Sequence, residues 1–229
     1  QHIEEAGIHS GDSSCVLPAY TLTDKLREKI KSFTENLAMK LNIKGLINIQ
    51  FAIKNETVYA LEVNPRSSRT VPFVSKVTDI PLAKYAAQIS TGMMIRDLHI
   101  NSPRKDLIAV KKPVFPFNKF PQQNIFLSPE MKSTGEAIGF DNKLGSAFAK
   151  AEFSAGSNLP TSGTVFISVN ENDKIKSIAL ARDFEDLGFK IIATSGTSDL
   201  LNDNGVFSDS IFKVGEGRPN IVDAVKNNE

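Results

Sequence analysis

The chain has 229 residues, of which 41% are apolar and 23% are charged, and this composition is typical of a folded globular protein. Its 27 basic and 26 acidic residues leave a net charge of +1, which argues against unspecific binding of nucleic acid. The one cysteine, Cys15, excludes an internal disulfide and favours a reducing, cytoplasmic location. No apolar run approaches the roughly 20 residues that span a bilayer, so we expect no membrane partner.

Charge divides the chain into two parts. Residues 1–156 carry 20 basic and 15 acidic side chains, whereas residues 157–229 carry 7 basic and 11 acidic ones. The change of sign falls in a small-residue stretch that contains Gly156 and Pro160, which predicts a domain boundary after residue 156. The chain begins without Met and stops inside a helical pattern, so we expect that both ends were cut from a longer protein.

The first part mixes helices and strands. Apolar residues at steps of three and four predict a helix over residues 24–41, with Thr23 as its N-cap. Residues 45–53 and 57–63 have the pattern of two strands joined by a turn. Pro81 and Gly92 bound a further helix, after which we expect a long irregular stretch rich in proline. The prolines of that stretch are Pro103, Pro113, Pro116, Pro121 and Pro129.

The second part alternates strand and helix. Residues 164–169 predict a buried strand, residues 174–187 a helix closed by Gly188, and residues 189–193 a second strand. Strand, helix and strand at this spacing form a βαβ unit with a parallel sheet. Ligands of such sheets bind at the carboxyl ends of the strands, where we expect loops at residues 170–173 and 194–197.

The predicted hairpin carries the strongest chemical signal. Glu62 and Asn64 are two residues apart on one strand and therefore face the same side, and Gln50 lies opposite or diagonal to Glu62, depending on the register. One carboxylate and two amide oxygens suit Mg²⁺ that bridges to phosphates. Arg66 and Arg69 follow closely and could bind phosphate or carboxylate oxygens. The alternative is a strand end with solvated polar side chains.

Two polar loops give weaker signals. Residues 7–14 contain two glycines and could surround a ligand with backbone N–H groups, or form a plain turn in which His9 is structural. Residues 194–197 follow a strand directly and could hold a phosphate with the help of Lys174 and Lys213. The alternative there is a helix N-cap beside two surface lysines.

Six short runs resemble the carbamoyl-phosphate synthetase large subunit family, and they occur in that family's order over nearly the whole chain. They are HSGDS at 9–13, NIQFA at 48–52, EVNPR at 62–66, RTVPFVSK at 69–76, FNKFP at 117–121 and PEMKSTGE at 129–136. The resemblance implies a fold of the α/β and α+β classes. It would comprise the C-terminal part of an ATP-grasp domain over residues 1–156 and a truncated Rossmann-like, methylglyoxal-synthase-like domain over residues 157–229.

The resemblance also implies roles for individual residues. The ATP-binding residues would be Gly7, Ile8, His9, Ser10, Gln50 and Glu62. Two Mg²⁺ or Mn²⁺ ions would be held by Gln50, Glu62 and Asn64. The catalytic residues would be Arg66, Arg69 and Asn64, of which the two arginines would hold the carbamate or the transferred phosphate. His2 and Glu4 would lie near a K⁺ site. A nucleotide effector such as UMP would be bound by Lys174, Thr194, Thr197 and Lys213.

The function implied by the resemblance is that of an ATP-dependent carbon–nitrogen ligase. It would phosphorylate carbamate, derived from bicarbonate and ammonia, to carbamoyl phosphate for pyrimidine and arginine synthesis. A glutaminase small subunit would supply the ammonia, and the assembly would be an oligomer. The chain lacks the family's upstream Gly-rich loop, so we expect it to be inactive alone. No histidine follows His99, so methylglyoxal synthesis is not expected. The alternatives are a stand-alone, non-catalytic nucleotide-binding regulatory module and another ATP-grasp ligase such as biotin carboxylase.

Overall fold

The computed structural model describes residues 1–103, 106–120, 122 and 124–227. The chain divides into two compact units, residues 1–159 and residues 160–229. Both units mix helices and strands, which confirms the predicted mixed α/β class. Pro121, the last residue of one of the family-like runs, lies outside the described residues.

Unit 1 contains antiparallel sheets and helices. Its strands are β1 (Cys15–Leu17), β2 (Asn48–Lys54), β3 (Thr57–Asn64), β4 (Ile108–Val114) and β5 (Gly135–Asp141). Its helices are α1 (Asp24–Lys40), α2 (Thr70–Thr78), α3 (Leu82–Ser90) and α4 (Leu144–Ser154). Strands β2 and β3 form a two-stranded sheet, and β1, β4 and β5 form a separate sheet in the order β1-β4-β5.

The three-stranded sheet of unit 1 is covered by a helix on each face. Side chains alternate along a strand, so neighbouring residues of β1 and β4 enter different cores. Cys15 and Ala109 pack against Phe73 and Val77 of α2. On the opposite face, the buried cluster joins the sheet to α4 and consists of Val16, Val110, Ala147 and Ala151.

Local sequence patterns correctly predict α1 and the hairpin. The Thr23 side chain accepts a hydrogen bond from the Leu26 amide at 3.3 Å, as an N-cap does. The turn residues Asn55 and Glu56 both have positive φ, 49° and 60°, which suits a tight hairpin turn. The first strand begins at Asn48 and not at the predicted residue 45, because Gly45 has φ of 104°, outside the range of extended backbone.

The predicted irregular proline-rich stretch is wrong for β4 and β5. Pro113 lies inside β4, where it pairs with Glu136 of β5. Strand β1 pairs with residues 109–111 of β4. Among the described residues no strand pairs with Pro113 on that edge of β4, so the missing N–H breaks no ladder bond there. Strand β5 and helix α4 follow in the chain, and the sequence patterns predicted neither of them.

Unit 2 has a parallel sheet in the order β6-β7-β8. Its elements are β6 (Thr164–Ile167), α5 (Lys174–Asp186), β7 (Lys190–Thr194), α6 (Ser195–Asp203), β8 (Asp209–Ile211) and α7 (Ile221–Asn227). The parallel pairing of β6 with β7 confirms the predicted βαβ unit. The predicted loops are partly wrong, because residues 171–173 form a 3-10 turn and α6 begins at Ser195 directly after β7.

In the part of the chain that the structure describes, none of the helices has the length and apolar character needed to cross a lipid bilayer.

Candidate functional site

The β2–β3 hairpin brings the predicted metal-binding side chains together. Gln50 pairs directly with Glu62, so the register places the two opposite one another and not diagonally. A bulge between Gln50 and Phe51 shifts the register of the rest of the hairpin. Asn64 Nδ2 donates a 2.8 Å hydrogen bond to Glu62 Oε1, which joins the two side chains on the same face of β3.

The chemistry of this group is that of hard oxygen donors. Glu62 provides a carboxylate, and the amide oxygens of Gln50 and Asn64 are neutral acceptors. Because the NH₂ group of Asn64 donates to Glu62, the side-chain oxygen of Asn64 points away from that bond and can bind a metal ion or a donor. No cluster of three His, Cys, Asp or Glu side chains suited to a metal occurs among the described residues. Carboxylate and amide oxygens are ligands of the kind that Mg²⁺ and Mn²⁺ accept beside phosphate oxygens, so the residues present fit such an ion.

The two arginines after the hairpin differ in how they are held. Arg66 donates to the carbonyl of its neighbour Ser67 at 2.9 Å, which leaves most of its guanidinium donors for a ligand. Arg69 reaches across the fold to Ser133, with 3.2 Å to Oγ and 3.4 Å to the carbonyl oxygen. It also lies 2.9 Å from the sulfur of Met131. Tertiary contacts thus fix the position of Arg69, whereas the Arg66 side chain is bonded to its neighbour Ser67 and to no distant residue within the described part of the chain.

The glycine-containing loop at residues 7–14 is an ordered turn. Gly7 has φ of 110°, which favours glycine, and the Asp12 amide donates to the His9 carbonyl at 2.9 Å. The His9 ring accepts a 3.0 Å hydrogen bond at Nδ1 from the Gly11 amide. This bond ties the His9 ring to the backbone of the loop, and an ATP contact of His9 stays a prediction. Ile8 and Ser10 flank it in the same loop.

A buried carboxylate that sequence reasoning missed anchors this loop. Asp12 is fully buried and accepts hydrogen bonds from the Lys132 amide at 2.7 Å and the Ser133 amide at 2.9 Å. Ser133 Oγ donates to the Gly11 carbonyl at 3.1 Å and also contacts Arg69. Burial alone would raise the pKa of Asp12, but the hydrogen bonds from Ser133 and Lys132 outweigh it and lower the pKa. The loop, Arg69 and residues 131–133 therefore form one connected unit.

A second missed group is the buried lysine beneath the loop. Lys111 is 1% exposed, and its ammonium donates to the Ser10 carbonyl at 3.3 Å. The Lys111 ammonium lies 3.7 Å from Oε1 of Glu136, and the negative charge of this carboxylate offsets part of the cost of burying the lysine. The adjacent Lys112 pairs with Glu152 at 2.7 Å on the other face of the sheet. A Lys-Lys pair in a strand gives no sequence signal that one of the two ammonium groups is buried.

The two residues of the expected K⁺ site have other contacts. Both oxygens of Glu4 accept hydrogen bonds from Ser14, at 2.6 Å from its amide and 3.0 Å from its hydroxyl. Burial, with the positive charge of Lys111 as a lesser cause, lowers the pKa of His2 and keeps its ring neutral at pH 7. These contacts describe a structural role for Glu4, and the K⁺ site stays a prediction.

In unit 2 the four predicted effector residues line one cavity of about 250 Å³. They are Lys174, Thr194, Thr197 and Lys213, with Glu171 and Gly196 beside them. The Thr194 hydroxyl lies 3.5 Å from that of Thr197 and 3.3 Å from that of Ser168. Thr194 is also the N-cap of α6 but makes no side-chain cap bond, so the first amides of that helix have no bond from it.

This cavity has the character of an anion site. A Cβ atom added at Gly196 would lie 3.1 Å from the Lys174 ammonium, so this cation sits against the first turn of α6. The amino end of a helix carries partial positive charge and free N–H groups, and Lys213 adds a second cation. Two hydroxyls, two ammonium groups and a helix start can together hold a phosphate group.

Comparison with protein-family models matches two regions of the chain. Residues 3–98 match the model described as "Carbamoyl-phosphate synthase L chain, ATP binding domain". Residues 176–229 match the "MGS-like domain". The two matches follow one another in the order that the sequence resemblance implied.

Curated relatives match the whole chain. A carbamoyl phosphate synthase large chain of Acidobacterium capsulatum is 54% identical over 234 residues, which cover 99% of this chain and 21% of the relative. That of Archaeoglobus fulgidus is also 54% identical, over 100% of this chain and 22% of the relative. The "Carbamoyl phosphate synthase large chain, C-terminal section" of Aquifex aeolicus is 48% identical over 100% of this chain and 46% of the relative. The chain thus spans between about a fifth and about half of these relatives.

Proposed function

Because this chain belongs to the carbamoyl phosphate synthase large-chain family, we propose that it is part of a ligase that phosphorylates carbamate with ATP. Unit 1 would take part in the phosphoryl transfer, and unit 2 would bind a nucleotide effector. The observation that carries the catalytic proposal is the direct pairing of Gln50 with Glu62, with Asn64 bonded to the same carboxylate.

Each side chain of the proposed site has a physical task. Gln50, Glu62 and Asn64 would hold two Mg²⁺ or Mn²⁺ ions, which when bound neutralise charge on the phosphate oxygens. Arg69 is held in place by Ser133, so its guanidinium would be preorganised toward the transferred phosphoryl group or the carbamate. Arg66 has more donors left over and would provide a second, more adaptable contact.

The reaction would consist mainly of positioning and charge neutralisation. A carbamate oxygen would attack the γ-phosphorus of ATP, so that a new O–P bond forms while the bond to the β-phosphate oxygen breaks and ADP leaves. Neither reactant needs a covalent bond to the protein. The loop at residues 7–10, tied to Arg69 through Asp12 and Ser133, would hold the nucleotide in line with the arginine.

The proposal is tested in the complete large chain with its glutaminase subunit. The assay is the synthesis of ATP from ADP and carbamoyl phosphate, which is the reverse of the proposed step. Glu62→Gln should lower this rate about 100-fold or more, because an ionic ligand becomes a neutral one. Glu56→Gln is the matched control, since Glu56 lies in the turn of the same hairpin and its nearest ion-pair partner, Lys25, is 3.8 Å away. Equal rates for the two variants would contradict the proposal.

The 229-residue chain alone is proposed to lack a complete ATP site. The family's ATP-grasp domain has an upstream Gly-rich loop and further arginine and carboxylate contacts to ATP, and none of these is among residues 1–229. An ATP titration by calorimetry should therefore detect no micromolar binding. Micromolar affinity would show that units 1 and 2 suffice for nucleotide binding.

For unit 2 we propose binding of a nucleoside monophosphate such as UMP. The cavity at the start of α6 holds Lys174, Lys213 and two threonine hydroxyls, and these groups suit a phosphate. The match to the MGS-like family supports the same role. Residues 160–229 contain no histidine, and the role proposed for unit 2 is the binding of an effector.

The remaining features of the proposal come from the family. The glutaminase small subunit would supply ammonia, the product would serve pyrimidine and arginine synthesis, and the assembly would be a cytoplasmic oligomer. These statements concern the complete enzyme, of which this chain spans a part.

A further inference from the structure

An acidic side chain sits among the cations of the unit 2 cavity. Glu171 lines the cavity, and its Oε1 lies 2.7 Å from the ammonium of Lys174. The carboxylate is 83% exposed, whereas the Lys174 side chain is only 21% exposed. The lysine is therefore built into the cavity wall, and the carboxylate approaches it from the solvent side.

The two lysines of the cavity differ in how closely a carboxylate approaches their ammonium groups. Lys213 lies 3.8 Å from Glu216, near the limit of an ion pair, and is mostly exposed. Lys174 has the short contact with Glu171 and lies against the first turn of α6, as the position of Gly196 shows. Because the N–H groups of a helix start attract anions, the place beside Lys174 is where a phosphate would bind.

We propose that Glu171 is a built-in competitor that an anionic effector displaces from Lys174. This inference rests on the proposed effector role of the cavity. The Glu171 carboxylate and a phosphate group carry like charges and require the same ammonium, so both cannot approach it closely without repulsion. Since Glu171 is solvent-exposed, moving its carboxylate away from Lys174 costs little free energy. The ion pair therefore lowers the affinity for the effector without preventing its binding.

The magnitude follows from the exposure of the pair. Exposed ion pairs of this kind contribute little, so removing the competitor should tighten binding by about two- to fivefold. The effect should be larger for inorganic phosphate as a dianion than for a monoanion such as formate, because the repulsion scales with charge. The 3-10 turn at residues 171–173, which precedes α5, should keep its cap, since Asn170 Oδ1, and not Glu171, accepts from the Asn172 amide.

The test uses the 229-residue chain with UMP and inorganic phosphate as probes. Dissociation constants are taken from the amide chemical shifts of Gly196 and Thr197, and the variant is Glu171→Gln. The matched control is Asp186→Asn, which removes the same charge at the far end of α5. Twelve residues separate it from Lys174, about 18 Å along the helix. This distance exceeds the screening length of about 8 Å, so its affinity should equal that of the wild type.

A double-mutant cycle isolates the pair. In a Lys174→Met background, Glu171→Gln should tighten binding much less than in the wild type, because the contact that it relieves is gone. Tighter binding by Glu171→Gln alone, with this loss of effect in the Lys174→Met background, is the expected result.

Three other outcomes would each overturn part of the reasoning. If both probes bind the wild type and Glu171→Gln equally, the competitor role is wrong and the effector site stands. If Asp186→Asn tightens binding as much as Glu171→Gln, the effect is one of net charge, and the competitor role is again wrong. If neither probe binds any of the proteins, the effector role and the inference both fail.

Discussion

Gly139 of β5 lies where α4 approaches the sheet so closely that no side chain fits. A Cβ atom at this position would lie 2.1 Å from the carbonyl oxygen of Ala147 and 2.4 Å from the amide nitrogen of Ala151. Both obstructing atoms belong to the backbone of α4, so no rotation of a side chain relieves the clash. Gly139 also pairs with Val110, so the clash falls inside the buried cluster between the sheet and α4.

The cost of Gly139→Ala can be worked from this geometry. Carbon atoms make favourable contact at about 3.5–4.0 Å, so α4 would have to move outward by more than about 1 Å. A gap of 0.5–1 Å already forfeits about a quarter to a half of the dispersion energy of each contact that it opens. Overpacking usually costs about 1–3 kcal/mol, and the rigid backbone places this variant at the upper end, about 3 kcal/mol.

Tyrosine fluorescence during urea unfolding measures this effect in unit 1 alone. The chain has no tryptophan, and its tyrosines, Tyr20, Tyr59 and Tyr85, all belong to unit 1. With a urea dependence of about 2 kcal/mol per M, a loss of 3 kcal/mol lowers the midpoint by about 1.5 M. The fluorescence therefore separates the change in unit 1 from any transition of unit 2.

Gly135→Ala is the matched control, because it makes the same substitution in the same strand. A Cβ there would lie 3.7 Å from the Val114 Cβ, which is ordinary contact. Its unfolding free energy should stay within about 0.5 kcal/mol of the wild type. Equal midpoints for Gly139→Ala and Gly135→Ala would refute the reasoning.

Two further predictions concern buried titratable groups of unit 1. Asp12 has a lowered pKa, so its ionised form stabilises the fold above about pH 4, and this contribution is lost as the pH falls through the lowered value. Asp12→Asn should cost about 1–3 kcal/mol at pH 7, because the Lys132 and Ser133 amides lose a charged acceptor. Urea titrations should show this difference shrinking toward pH 3, and a constant difference would count against it. Burial, above all other causes, raises the pKa of Cys15, so a thiol reagent at pH 8 should modify the native chain at least about 100-fold more slowly than the urea-unfolded chain. Comparable rates would mean that the native thiol is accessible.

Local patterns were sufficient for elements whose period is visible in the sequence. The apolar spacing and Thr23 predicted α1, and the strand–helix–strand spacing predicted the parallel pairing in unit 2. The residue types Gln50, Glu62 and Asn64 pointed to oxygen ligands before any geometry was known. These features depend on neighbours within a few residues, so the sequence carries them directly.

Sequence patterns failed where a distant partner decides the structure. Pro113 argues against a strand locally, yet it lies in β4 because β1 is too short to need its N–H group. The sequence left residues 194–197 open between a phosphate-binding loop and a helix N-cap, because the polar residues there give no helical period, and α6 begins at Ser195. At Pro113 the pairing of strands therefore overrides local propensity.

The amino-acid sequence by itself determined the kinds of side chain available, the two-part organisation of charge and the family to which the chain is similar. The tertiary structure decided which of those side chains meet. Asp12 and Ser133 are 121 residues apart in sequence, yet they are joined by a hydrogen bond. Because Ser133 also bonds to Arg69, this contact ties the loop at residues 7–14 to the arginine. The register of β2 against β3 places Gln50 opposite Glu62 only because of the adjacent bulge. Such contacts depend on chain topology and close packing, which no short-range period encodes.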